Sequence, residues 1–118
     1  MMEIIDESYR IWYDESASAI IFEGSLRLNG VEEYASIAQL LVDTIEQDPP
    51  IITLNLQNLK FLNSSGISLL SKFAIDVRKK KNIQMIVIGS QHIAWQTKSL
   101  KNLQRLMPSL KLEWVEIG

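Results

Sequence analysis

Two runs near the N-terminus, Tyr9–Tyr13 and Ala17–Glu23, are rich in aromatic and β-branched residues, with Asp14-Glu15-Ser16 between them. Extended runs flanking a short polar turn predict a hairpin. Gly24 ends the second run, and Ser25–Gly30 reads as a loop. From Val31 the period changes. Tyr34, Ile37, Ala38, Leu41 and Ile45 recur at helical spacing and make one apolar face. Asn29 is placed to cap this helix, and Glu32 and Glu33 suit its positive end. Asp48-Pro49-Pro50 stops it, because proline removes a donor and disfavours helix in the residue before it.

Ile51–Leu56 alternates as a strand does, with Leu59–Leu62 as a short extension. Ser65–Lys81 is the second predicted helix, with Ile67, Leu70, Phe73, Ala74 and Val77 inward. Its last turn holds Arg78, Lys79, Lys80 and Lys81, where the helix dipole favours positive charge. Ile83–Ile88 is a near-continuous apolar run, as in strands buried on both faces of a parallel sheet. Gly89-Ser90 turns the chain. Ile93–Met107 is a third helix, ended by Pro108. Leu110–Ile117 is the last strand, with Leu112, Trp114 and Glu116 on one face.

The predicted order is β-β-α-β-α-β-α-β. Strand–helix–strand alternation calls for parallel strands joined by right-handed crossovers, and the first hairpin adds an antiparallel edge. The expected fold class is α/β: a mixed sheet, parallel at its centre, packed on helices. At 118 residues, one domain over 1–118 is expected. A chain of this size buries about two-thirds of its unfolded surface, and its 47% hydrophobic residues can fill that core.

Composition narrows the chemistry. With 22% charged residues the chain reads as a soluble globule rather than a disordered tail. A net charge of −2 weighs against a nucleic-acid surface. The absence of cysteine excludes disulfides, thiolate catalysis and Cys-based metal sites. His92 is the single histidine, so a His-rich metal site is excluded too, and no cofactor is expected. No apolar run approaches the ~20 residues of a spanning helix, so no membrane partner is expected. Glu3, Asp6 and Glu7 in place of a basic leader argue against secretion. A cytoplasmic location is expected, which the lack of cysteine fits.

The informative stretch is Phe61-Leu62-Asn63-Ser64-Ser65-Gly66-Ile67-Ser68-Leu69-Leu70, a strand end, a polar turn and a helix start. Ser64 is placed as N-cap, its hydroxyl accepting from the backbone N–H of Gly66 or Ile67. Gly66 would leave the first turn open to close approach. Glycine there costs ~1 kcal/mol relative to alanine, which is odd for a purely structural helix. A serine at a helix N-terminus suits phosphorylation. The phosphate carries about −1.5 to −2 charge, and the positive helix end stabilises it by ~0.3–1 kcal/mol. At a partner interface one misplaced charge costs several kcal/mol, enough to switch binding off. The same residues also suit an ordinary capped βα turn without any switch.

The arrangement resembles the STAS domain of bacterial anti-sigma-factor antagonists over about 100 residues. Gly24-Ser25-Leu26 looks like the family's G-x-L after its second strand. Leu54-Asn55-Leu56, Leu59, Phe61, Asn63-Ser64-Ser65-Gly66-Ile67 and Leu70 look like its central strand and D-S-S-G-[LI] turn. Val87-Ile88-Gly89 looks like its next strand end. The resemblance implies a cytoplasmic signalling protein in a partner-switching pathway that regulates transcription. Ser64 would be phosphorylated by a partner that is both anti-sigma factor and serine kinase, and dephosphorylated by a PP2C-type phosphatase. The unphosphorylated form would bind the partner. The binding surface would be centred on Asn63, Ser64, Ser65 and Gly66, with Gly24, Ser25, Arg27 and Asn29 alongside. Two positions depart from the pattern: Asn63 replaces the usual acidic residue before the phosphoserine, and Arg27 replaces the acid that often follows G-x-L.

Other features point elsewhere less strongly. Ser64 or Ser65 with His92 lacks a G-x-S-x-G elbow and an orienting carboxylate, so no enzyme is expected. Arg78–Lys81 is explained by the helix dipole. Lys98, Lys101 and Arg105 form a solvated stripe on the third helix. Gly89-Ser90-Gln91 lacks the glycines and lysine of a phosphate loop. Two alternatives to the switch remain open. One is a small-molecule or lipid sensor with a cavity beside Trp95 or Trp114. The other is a constitutive scaffold in which Ser64 only caps.

Overall fold

A computed structural model describes residues 2–115 of the chain. Its elements in chain order are β1 (Glu3–Ile5), β2 (Tyr9–Asp14), β3 (Ala19–Leu26), α1 (Gly30–Glu33), α2 (Ala35–Glu46), β4 (Ile51–Leu62), α3 (Ser64–Lys80), β5 (Gln84–Ser90), α4 (Gln96–Leu106) and β6 (Lys111–Val115). The strands form one sheet in the order β1-β2-β3-β4-β5-β6. The pairs β1–β2 and β2–β3 are antiparallel, and β3–β4, β4–β5 and β5–β6 are parallel. This is the expected α/β architecture.

Alternation along each strand sets the two faces. Ile52, Leu54 and Leu56 are fully buried, and so are Ile11, Ile20, Met85 and Val87. Between them Thr53, Asn55, Ile86 and Ile88 are half-exposed. From β3 onward every crossover steps in the same direction, so right-handed connections place α2, α3 and α4 on one face. There α2 lies over β1 and β2, α3 packs on β4, and α4 packs on β5 and β6. Ile37, Leu41, Ile45, Leu70, Phe73, Ala74 and Val77 meet the sheet as one core, as their spacing predicts.

Several boundaries differ from the sequence reading. β1 pairs Ile4 with Ile11 and forms the outer edge, although three residues carry too little pattern to announce a strand. The first helix is interrupted at Tyr34, a turn residue between α1 and α2 that is 2% exposed. Asn29 precedes α1, but its side chain makes no cap hydrogen bond; its backbone N–H instead donates to Glu33 Oε1 at 3.0 Å. β3 continues through Gly24 and Ser25 to Leu26, and register shifts against β4 accommodate it. β4 is one strand of 12 residues, not a strand and an extension. α3 ends at Lys80, with Lys81 in the left-handed conformation. Glu116 and Ile117, assigned to the last strand, lie outside the described residues.

The end of the sheet also differs. Ser90 belongs to β5 and is buried, and α4 starts at Gln96 rather than Ile93. The cause is a hydrogen-bonding demand. β5 pairs with β4 only as far as Asn55, so the carbonyls of Leu56 and Leu59 lack a strand partner on that side. Trp95 Nε1 donates to Leu59 O at 2.9 Å, and Gln96 Nε2 donates to Leu56 O and Leu59 O at 2.6 and 3.1 Å. Gln96 Oε1 accepts from Ser90 N–H at 2.7 Å. One fully buried amide thus supports the projecting half of β4 and ties it to β5. Replacing it with an apolar side chain leaves Ser90 N–H and Leu56 O unpaired, at ~1–3 kcal/mol each. Gln96→Leu is therefore expected to destabilise the fold by about 2–4 kcal/mol, read as a lowered midpoint in urea unfolding with an unchanged slope.

Candidate functional site

The projecting end of β4 delivers the chain to α3. Ser25 pairs with Phe61 and Leu26 with Leu62, and Asn63 N–H donates to Leu26 O at 3.3 Å. The segment after β3 is thereby held beside the first turn of α3. The side chain of Asn63 completes the junction. Its Oδ1 accepts from Gly66 N–H at 3.1 Å and from Tyr34 Oη at 2.7 Å. Its Nδ2 donates to Leu28 O at 2.7 Å. The Asn63 carbonyl accepts from Ile67 N–H at 3.0 Å.

Asn63, not Ser64, is therefore the N-cap. Its backbone is extended, as a cap requires, whereas Ser64 is the first residue of the helix. The reason lies in reach. An amide one residue earlier accepts from a helix donor and a phenol at its oxygen and donates to a loop carbonyl from its nitrogen, whereas a shorter hydroxyl would have to meet all three at a single oxygen. This also accounts for Asn where the resembling family has Asp. A carboxylate has no proton to donate to Leu28 O. Burial, the largest influence on it, pushes the Tyr34 hydroxyl above the ordinary phenol range and keeps it a donor.

Gly66 is not an opening to solvent. It is buried, and a Cβ built there would run into the Leu62 side chain and lie 2.8 Å from Tyr34 Oη. Glycine is present because strand end, helix start and Tyr34 converge on that point. Gly24 lies inside β3, paired with Tyr9 and Leu59, away from the turn. Its φ is +95°, and a Cβ would strike the Ser8 carbonyl, so its role is also steric. Ser25 is half-buried in β3.

The surface that remains consists of Ser64, Arg27 and Asn29, all exposed, with half-buried Ser65 between Ser64 and the core. Within the described residues the Ser64 hydroxyl makes no hydrogen bond, and the backbone N–H groups of Ser64 and Ser65 are free. Phe61 joins this surface. It is 37% exposed, and the Arg27 guanidinium stacks over its ring, 4.5 Å from the centroid. The sequence reading did not assign Phe61 to the surface, because only the parallel β3–β4 register brings it to Arg27. His92 is exposed in the turn before α4, its N–H donating to Ser90 Oγ at 3.3 Å. Trp95 is half-buried and its indole N–H is occupied by β4, which suits a structural role. Lys98, Lys101 and Arg105 are exposed, as a solvated stripe requires.

Asn63 and Ser64 should separate cleanly in stability. Asn63→Ala is expected to cost about 2–3 kcal/mol, since three side-chain hydrogen bonds are lost and Leu28 O and Tyr34 Oη are left unpaired. Tyr34→Phe should cost ~1 kcal/mol. Ser64→Ala should lie within about 0.5 kcal/mol of the unsubstituted protein. Urea unfolding of the three variants checks this, and a large loss in Ser64→Ala would return the capping role to the serine.

No protein-family model matches the chain, and no curated protein matches it. Solved structures do resemble it. SiaC of Pseudomonas aeruginosa superposes with a TM-score of 0.70 at 12% identity, covering 99% of this chain and 100% of that one. A crystal structure of the Pseudomonas aeruginosa diguanylate cyclase SiaD in complex with its activator SiaC gives a TM-score of 0.73 at 12% identity, with the same coverage. The mixed sheet and its helices are thus a fold shared with these structures.

Proposed function

We propose that this chain is a regulatory module that binds a protein partner through the exposed surface at the start of α3, with phosphorylation of Ser64 as the switch. It does no chemistry of its own. One observation carries the reading: Ser64 is the exposed first residue of a 17-residue helix whose cap is supplied by another side chain. A phosphate on Ser64 displaces no hydrogen bond of the fold. It meets two free backbone N–H groups and the positive end of the helix. The domain survives, and its net charge moves from −2 to about −4. That change falls beside Arg27, Phe61 and Asn29, where a partner would feel it.

The fold shared with SiaC supports a binding role, since SiaC is the activator of SiaD and occurs in complex with it. The STAS resemblance supplies the kinds of partner: a serine kinase of the anti-sigma type, a PP2C-type phosphatase, and a sigma factor released in turn. An enzyme activated as SiaD is activated by SiaC is the other kind. The Arg27–Phe61 stack favours protein contact, because arginine and aromatic side chains carry much of the energy at protein interfaces.

The test starts from the partner captured by the unsubstituted protein. Ser64→Ala should retain its affinity. Ser64→Asp should weaken it at least about tenfold, the equivalent of 1.4 kcal/mol. Incubation with the kinase and ATP should place phosphate on Ser64 in peptide maps. Phosphate found only elsewhere, or Ser64→Asp binding unchanged, removes the switch. Arg27→Ala with unchanged binding removes this surface.

A further inference from the structure

Between α1–α2 and α3 runs an apolar groove of about 430 Å³ that opens to solvent and adjoins the Ser64 turn through Ser65. It exists because small residues face each other across it: Gly30 and Ala38 on one wall, Ser65 and Ser68 on the other. Large side chains would have closed the helices together; these leave the flanks of Leu41, Leu69 and Phe73 reachable. The rim is apolar too, with Val31 88% and Val42 36% exposed. Resting on the protein-binding reading above, we infer that this groove takes an amphipathic helix of the partner, with an apolar ridge inward and basic residues against α1–α2.

Dimensions and charge choose this occupant. The α3 wall runs from Ser65 to Asp76, roughly 16 Å at the helical rise, or three turns. Two helices flanking a trough present ridges and grooves that a third helix fills. The α1–α2 residues that line the groove are uncharged, but the helices that carry them are acidic. Glu32, Glu33 and Glu46 are exposed on them, next in sequence to the lining residues Val31 and Ile45 or to each other, and no lysine or arginine occurs between Leu28 and Leu59. On the α3 wall Lys72 and Asp76 pair with each other at 3.1 Å and leave no net charge. A fatty acid or other anionic amphiphile would meet no unpaired cation in the lining and would lie beside the acidic helices α1–α2. A helix with lysines on that flank meets complementary charge.

The test uses labelled model peptides of roughly 14 residues, long enough for the groove. One has a leucine ridge with lysines on its flank, one has glutamates there, and one has the first composition scrambled. Fluorescence anisotropy should show the lysine-flanked peptide binding at least tenfold tighter than the other two. Amide shifts should centre on Val31, Val42 and Ser68. Val31→Lys and Val42→Lys, both at exposed positions and checked for unchanged melting, should each weaken binding at least tenfold. Glu46→Lys should narrow the preference for lysine over glutamate. No binding by the lysine-flanked peptide, equal affinity for both charged peptides, shifts centred elsewhere, or a copurified small molecule displaced from the groove would each overturn the inference. The peptide measurements do not involve Ser64. A failed groove therefore leaves the Ser64 switch standing, and a failed switch leaves the groove result readable.

Discussion

The carboxamide of Asn63 is the constraint on which the candidate site depends. Its oxygen and nitrogen join three parts of the chain at one point: the start of α3, the Tyr34 break between α1 and α2, and the Leu28 carbonyl after β3. All three partners lie within hydrogen-bonding distance of one planar group, so their relative positions are fixed together. Tyr34 reaches this group from the junction of α1 and α2, and a side chain on Gly66 would crowd its hydroxyl. The interruption between α1 and α2 and the glycine of α3 thus meet at the same contact.

A second amide does comparable work on the other side of β4. That strand outruns β5, and a lone strand edge pointing into a core has unsatisfied carbonyls. Trp95 and Gln96 supply the missing donors from the start of α4. The projecting half of β4 is therefore held by β3 on one side and by side chains on the other. The Ser64 turn sits at the end of this rigid arm. Its position is set by the sheet rather than by the flexibility of a loop, which suits a surface that must present one residue in one place.

What the sequence disclosed and what it withheld divide along the range of the interactions. Local composition gave the strands at Tyr9–Tyr13 and Ile83–Ile88, and period gave the inward faces of α2 and α3, because burial on a helix acts on every third and fourth residue. The Ser64 exposure followed from its place in a polar turn. The cap did not. Asn63 and Ser64 are both good capping residues in adjacent positions, and the choice is made by Tyr34, 29 residues earlier, and by Leu28, 35 residues earlier. The same holds for Gly66, whose local reading was openness and whose actual neighbours are Leu62 and Tyr34. Gln96 gave no signal, since its partners are backbone carbonyls of a strand about forty residues away.

Chain order and sheet order coincide here, and this has an electrostatic effect. Twelve of the fourteen acidic residues precede Val77, and eight of the twelve basic residues follow Arg78 or are Arg78 itself. Laid out over a sheet ordered β1 to β6, a division along the sequence becomes a division in space: acidic over β1, β2 and α1–α2, basic at the end of α3 and along α4. The molecule extends 33 Å in its longest direction, several times the ~8 Å screening length of physiological salt. A partner approaching either side therefore senses that side and not the net charge of −2. What binds this protein is therefore decided face by face. On that basis the Ser64 turn occupies a distinctive position, since it opens α3, the helix that runs between the acidic and basic sides.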